Sequence, residues 1–204
     1  NANHNKISKL MERRKTYTVR SYVAKNGEIV TKYEGTEVDS TCYTNLAQSD
    51  DSRCSSTSGS LNLEPWIRFN FTIAESTTSI SSIRITMEEQ CTGCAGASDV
   101  NFILLNYTSG AWEEWATGVT TEATREITLD NSNAFDAVIQ DGQLVLLAEG
   151  TDTDSGDSVD VDFVQVEINY TIYPKQEWYD GAWKVNVTVP SGLSGLQDLF
   201  VNSS

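Results

Sequence analysis

The chain has 204 residues and carries 29 acidic against 14 basic side chains, a formal net charge of -15. That acidity excludes general nucleic-acid binding, which needs a basic face, and argues against docking on anionic membrane. A composition of 39% hydrophobic and 21% charged residues excludes a disordered chain or a coiled coil, and the single histidine, His4, leaves little for a histidine triad or a multi-histidine metal site.

Taken in chain order, Lys6–Arg14 is the one helix-like segment. From there the dominant period is two. Extended runs are expected at Thr16–Val23, Glu28–Tyr33, Trp66–Ile73, Ile80–Met87, Val100–Tyr107, Ala111–Ala116, Arg125–Leu129, Ala137–Gln140, Gln143–Glu149, Val159–Tyr173, Trp183–Val189 and Leu196–Asn202. Phe102–Leu105 and Leu144–Leu147 are continuously apolar, as central strands covered on both faces are. The run from Val159 changes phase between Phe163 and Val164, which predicts a β-bulge or a bend between sheets. Asn26-Gly27, Ser109-Gly110 and Asp141-Gly142 mark hairpin turns. Many short strands at this spacing predict an all-β, jelly-roll-like β-sandwich with extra terminal strands. The expected division is an arm and hairpin over 1–34, a sandwich core over 35–173 and a C-terminal strand pair over 174–204 that reads like the opening of an Ig-like unit. No run of 18 apolar residues exists, so no membrane span is expected. The chain begins at Asn1 and reads as mature or trimmed.

Cys42, Cys54, Cys91 and Cys94 allow three disulfide connectivities. The CxxC at Cys91–Cys94 has the spacing of half a zinc site or a redox pair. A zinc ribbon needs a second close pair, and a redox motif opens a helix; here the motif runs into Ala-Gly-Ala-Ser. Structural disulfides in an extracellular protein fit better, and Cys42–Cys54 with Cys91–Cys94 is the more economical pairing. Sequons occur at Asn70, Asn106, Asn169, Asn186 and Asn202. Strand parity turns Asn70, Asn169 and Asn186 outward, which reads either as an ordinary polar face or as surface N-glycosylation.

Two constellations bear on ligands. The acidic run holding Asp152, Asp154, Asp157, Asp160 and Asp162 has a spacing that suits Ca²⁺, with no EF-hand glutamate or flanking helices; the plainer reading is a solvated loop. Asp39 and Asp50-Asp51 border the first disulfide loop and are further contributors. Trp112 and Trp115 flank Glu113-Glu114 just past a turn, as in sandwiches that hold sugar rings on tryptophan platforms. Strict alternation puts the two tryptophans on opposite faces, so one of them is expected to plug the core. Glu113 and Glu114 face opposite ways as well and cannot flank one glycosidic bond; no GxSxG, P-loop or HExxH pattern occurs, and no enzyme is expected.

Ile80-Ser-Ser-Ile-Arg-Ile-Thr-Met-Glu, Leu105-Asn-Tyr-Thr-Ser-Gly-Ala-Trp-Glu, Gly142-Gln-Leu-Val-Leu-Leu and Val161-Asp-Phe-Val-Gln-Val-Glu-Ile carry a resemblance. Through them the stretch Trp66–Tyr173 resembles β-sandwich domains of secreted archaeal and bacterial surface proteins. The resemblance implies an extracellular jelly-roll or galactose-binding-like sandwich in cell-surface architecture, including archaeal surface filaments. The CxxC after Glu89 departs from that pattern. A type IV pilin is not expected, since the sequence shows no N-terminal hydrophobic helix.

Two functions follow as expectations. The first is a structural surface subunit, partnered with copies of itself and assembled by strand exchange. Tyr17, Val19 and Val23 form the donor face, and a basic arm holding eight of the 14 cationic residues meets an acidic neighbour. The alternative to exchange is pairing of the terminal strands within the chain. The second function is a carbohydrate-binding or adhesin module, with or without calcium, using Trp112 and Trp115.

Overall fold

The period-two patterning is realised as fourteen strands in the computed structural model, which describes residues 11–18, 22–27, 35–59, 63–94, 99–151, 154–172, 176–179 and 182–185. Every strand pairing is antiparallel. One sheet runs β1 (Met11–Tyr17), β12 (Ser158–Ile172), β6 (Ile80–Thr92), β9 (Ala123–Leu129), with β4 (Cys54–Thr57) on the remaining edge of β12. The other runs β3 (Thr36–Glu37), β2 (Tyr22–Gly27), β5 (Trp66–Thr72), β11 (Gln143–Thr151), β7 (Asp99–Asn106), β8 (Ala111–Val119), with β10 (Ile139–Gln140) on β11. A separate pair joins β13 (Gln176–Tyr179) to β14 (Ala182–Val185). The chain is thus an all-β, jelly-roll-like sandwich with extra terminal strands.

Alternate residues of the two sheets meet in one core. Phe69, Phe71, Phe102, Leu104, Leu144 and Leu146 come from one sheet, and Ile83, Ile85, Met87, Val164, Val166 and Ile168 from the other; all are fully buried. Phe102–Leu105 and Leu144–Leu147 lie in the middle of the larger sheet and are buried on both faces, as continuous apolar runs must be. The far face carries its own buried cluster of Trp66, Ile103 and Leu147. Gly27 and Gly35 lie flat against the Trp66 ring, where a Cβ has no room.

Some local expectations change. Met11–Arg14 is extended rather than helical, because β1 zips onto β12 from Met11↔Ile172 to Tyr17↔Val166; residues 6–10 lie outside the described residues. Thr16–Val23 is not one strand. β1 and β2 belong to different sheets, so the described part of the N-terminal arm is built into both halves of the sandwich. Tyr17 is buried, Val23 is 43% exposed, and Val19 lies outside the described residues. Asn26-Gly27 ends β2 rather than forming a tight turn. Asp141-Gly142 does form one, with φ of 51° and 72°. Ala137 and Val138 close a short helix instead of opening a strand. That helix, α2 (Ser132–Val138), and its counterpart α1 (Ser40–Asn45) are each capped by a side chain: Asn131 accepts from the Ala134 N–H, and Asp39 from the Cys42 N–H. The expected runs Glu28–Tyr33 and Leu196–Asn202 lie outside the described residues.

The phase change in β12 is a bulge. Its register on β6 shifts between Val161 and Phe163, leaving Asp162 unmatched. The cysteines pair as Cys42–Cys54 and Cys91–Cys94. No described helix is long and apolar enough to cross a membrane.

Candidate functional site

The aromatic constellation sits on β8, the edge strand of the larger sheet. Leu105 pairs with Trp112 and Ile103 with Glu114, so Trp112 and Glu114 share the face that bears Trp66 and Leu147. Trp112 is half-buried against that cluster. Glu114 Oε2 accepts from Asn101 Nδ2 at 2.8 Å, and Asn101 Oδ1 in turn accepts from the Gly118 N–H. Glu113 pairs opposite Leu104, a core residue, and accepts from Asn106 Nδ2 at 2.7 Å. The two glutamates therefore face opposite sides.

Trp115 corrects the simple alternation. The register jumps from Ile103↔Glu114 to Phe102↔Ala116, leaving Trp115 as an extra residue at a bulge. Parity ceases to hold across a bulge, so it no longer assigns Trp112 and Trp115 to opposite faces. Trp115 is 40% exposed, one of three large hydrophobic side chains so exposed among the described residues. It is a surface residue and not a core plug.

A concavity of about 470 Å³ lies between the β2–β3 end and the first disulfide. Its walls are mixed, with Asn26, Glu37, Asp39, Asn45 and Arg53 beside Val38 and the disulfide, and none of its described lining residues is aromatic. It offers hydrogen bonds but no stacking plane.

The acidic run does not converge as its spacing suggests. Asp152 lies outside the described residues. Asp154 is exposed, and its N–H donates to Asp157 Oδ2, closing the turn. Asp157 is buried. Asp160 is also buried, and accepts from Thr92 Oγ1 and from Gln90 Nε2. Among the described residues, Asp154, Asp157 and Asp160 do not come together as a ligand group; the carboxylates that do are Asp51, Glu122 and Asp162. Burial pushes the Asp162 carboxyl above its ordinary range, the N–H groups of Asp51 and Asp50 pull it back, and the charges of Glu88 and Asp50 push it up again. Asp162 ends the acidic run and Asp51 borders the disulfide loop, but nothing in their spacing pointed to Glu122.

Outward parity at the sequons is not the same as exposure. Asn70 is half-buried and accepts from Arg68 Nε at 3.0 Å, and Arg68 is itself 4% exposed. Asn106 is half-buried, its Oδ1 accepting from Thr108 and Ser109 N–H. Asn169 is exposed, with Nδ2 donating to Ser82 Oγ. Asn186 and Asn202 lie outside the described residues.

A family described as "Uncharacterized protein, C-terminal domain" matches residues 14–170. No curated protein sequence matches the chain. Among solved structures, the chain is similar to a xylan-binding module, CBM15, at 14% identity and a TM-score of 0.41, over 78% of this chain and 97% of that one. It is also similar to the enzymatically active domain of tailspike protein 4 of bacteriophage CBA120, at 6% identity and a TM-score of 0.33, over 79% of this chain and 19% of that one.

Proposed function

The chain belongs to the AF_1625_C family, and from that premise we propose that it is an extracellular, non-catalytic module that binds neutral glycan chains along β8. One observation carries the reading: the bulge that exposes Trp115 on an edge strand that also carries half-buried Trp112 and Glu114, the latter bonded to Asn101 of β7. An indole offers a flat apolar plane for the C–H face of a sugar ring, and a carboxylate–amide pair offers acceptors and donors for its hydroxyls. A net charge of -15 opposes uronate-rich or sulfated chains, which points to neutral polysaccharides. The two disulfides suit an oxidising compartment.

An array of neutral poly- and oligosaccharides probed with the full chain and with Trp115→Ala tests this. Binding by the parent chain and its loss in the variant, with unchanged circular dichroism, is the expected result. An array without hits on neutral chains sinks the reading.

A second reading, a surface subunit assembled by strand exchange, is favoured by the way β1 is held. It is an edge strand, held by its main-chain register on β12 and by charged contacts. Arg14 pairs with the buried carboxylate of Glu167, while Lys15 and Tyr17 both reach Glu75. A neighbour offers the same partners to an incoming β1: Glu167 on its β12 and Glu75 on its β5–β6 connection. Electron microscopy at rising concentration, with and without residues 1–17, decides this. Filaments that require β1 support it, and monomers at every concentration contradict it.

A further inference from the structure

We propose that Asp51, Glu122 and Asp162 form a calcium site, separate from the aspartates of the 152–160 run and independent of the glycan-binding reading. The three come from distant parts of the chain: the turn after α1, the β8–β9 connection and the bulge of β12. One carboxylate oxygen from each lies within 4.8 Å of the others.

Acidic groups gather on many surfaces, but Asp162 is not a surface group. It is 1% exposed. Its Oδ2 accepts the N–H groups of Asp50 and Asp51, each at 3.0 Å. Its Oδ1 is buried and has no hydrogen-bond partner among the described residues. A buried carboxylate oxygen without a donor is costly, and an unmet one in a native fold marks something that belongs there. Arg53 does not meet the need. Its Nη2 pairs with Glu122 Oε2 at 2.9 Å and Asp51 Oδ1 at 3.6 Å, the two exposed members of the trio, and makes no ion pair with Asp162. The bulge explains the placement, because it turns the unmatched Asp162 toward the 50–51 turn, where Asp51 itself holds a left-handed φ of 63°.

The donor set selects the ion. All three ligands are hard carboxylate oxygens, whereas zinc prefers nitrogen and sulfur. Two of the three are exposed, so water completes the shell. Calcium accepts such irregular, mixed coordination, while magnesium demands a tight octahedron and gives up its water reluctantly. Binding displaces Arg53 from the two outer carboxylates and fastens the 50–51 turn to β12.

Isothermal titration of the chelator-treated full chain with CaCl₂, alongside thermal melts, tests the site. One calcium per chain and a raised melting temperature are expected, with a much smaller response to MgCl₂. Glu122→Gln and Asp162→Asn each weaken binding by about tenfold or more, while Asp154→Asn leaves it unchanged. Glu122 is exposed, so Glu122→Gln decides the matter even if Asp162→Asn folds poorly. The proposal is overturned by no heat and no melting shift up to about 10 mM, above the range of extracellular calcium modules. It is equally overturned by parent-like binding in Glu122→Gln, or by loss of binding in Asp154→Asn.

Discussion

Glu89 Oε1 lies 3.1 Å from Arg125 Nε between the two sheets, where the Glu89 side chain has no exposure at all. Both residues sit on inward-facing positions of β6 and β9, and Arg125 also donates to the Val100 carbonyl across the sandwich. Burial pushes the Glu89 carboxyl from 4.5 up to about 8, against the pull of Arg125. Folded Glu89 therefore keeps a proton that the unfolded chain has lost. Stability from this group is fully present below pH 4.5 and declines as pH rises to about 8, by roughly 5 kcal/mol at most. Glu89→Gln imitates the protonated form. Urea melts at pH 5 and pH 8 should show a fall in the parent chain that is much smaller in the variant. Equal slopes in both would show that Glu89 does not titrate in this range.

Glu167 is held by Arg14 on one side and Arg84 on the other, and its side chain is 5% exposed against 61% and 43% for the arginines. That asymmetry sets the effect of substitutions. Without Glu167 the arginines remain in water, so Glu167→Gln should cost only about 1 kcal/mol. Without both arginines a buried carboxylate is stranded, and Arg14→Ala with Arg84→Ala should cost about 3 kcal/mol or more. Chemical denaturation of the two variants checks the order, and hydrogen exchange should show β1 loosened first.

The two disulfides close loops of unlike length, with sequence separations of 12 and 3. Chain entropy alone assigns about 3 kcal/mol to Cys42–Cys54 and about 2 kcal/mol to Cys91–Cys94. Cys54 is also packed in the core beside α1. Paired alanine substitutions should reproduce that ranking in denaturation midpoints, and the reverse ranking would remove the loop-closure account.

Of the described sequons, Asn169 alone is exposed; Asn106 binds its own hairpin and Glu113, and half-buried Asn70 accepts from buried Arg68. If the chain is made in a glycosylating host, peptide mass spectrometry should find Asn169 occupied and Asn106 bare. Glycan on Asn106 would mean that its hairpin opens before modification.

Strands, turns and the bulge were legible because each leaves a local signature. Period two gave β5 and β6, a continuous apolar run gave β11, Asp141-Gly142 gave its turn, and the broken alternation gave the β12 bulge within two residues. The cap residues Asp39 and Asn131 are local signals for α1 and α2, but both helices are too short to show a helical period, and the end of α2 overlaps the run expected at Ala137–Gln140. Long-range features were not legible. The charged stretch Met11–Arg14 is extended because β12 supplies an edge and buried carboxylates, which override local helix preference. The Trp115 bulge depends on the register of β7, and no period within β8 reveals it. Asp51 and Asp162 are 111 residues apart and meet only through the fold.

The most direct test of glycan binding on β8 is the set of indole N–H signals in a nitrogen–proton correlation spectrum of the full chain. The five tryptophans give five such signals, which single Trp→Phe variants assign. Titration with a neutral oligosaccharide chosen from the array should shift Trp115 most and Trp112 next, and leave Trp66 in place beneath Gly27 and Gly35. An unmoved Trp115, with or without shifts elsewhere, contradicts binding at this edge.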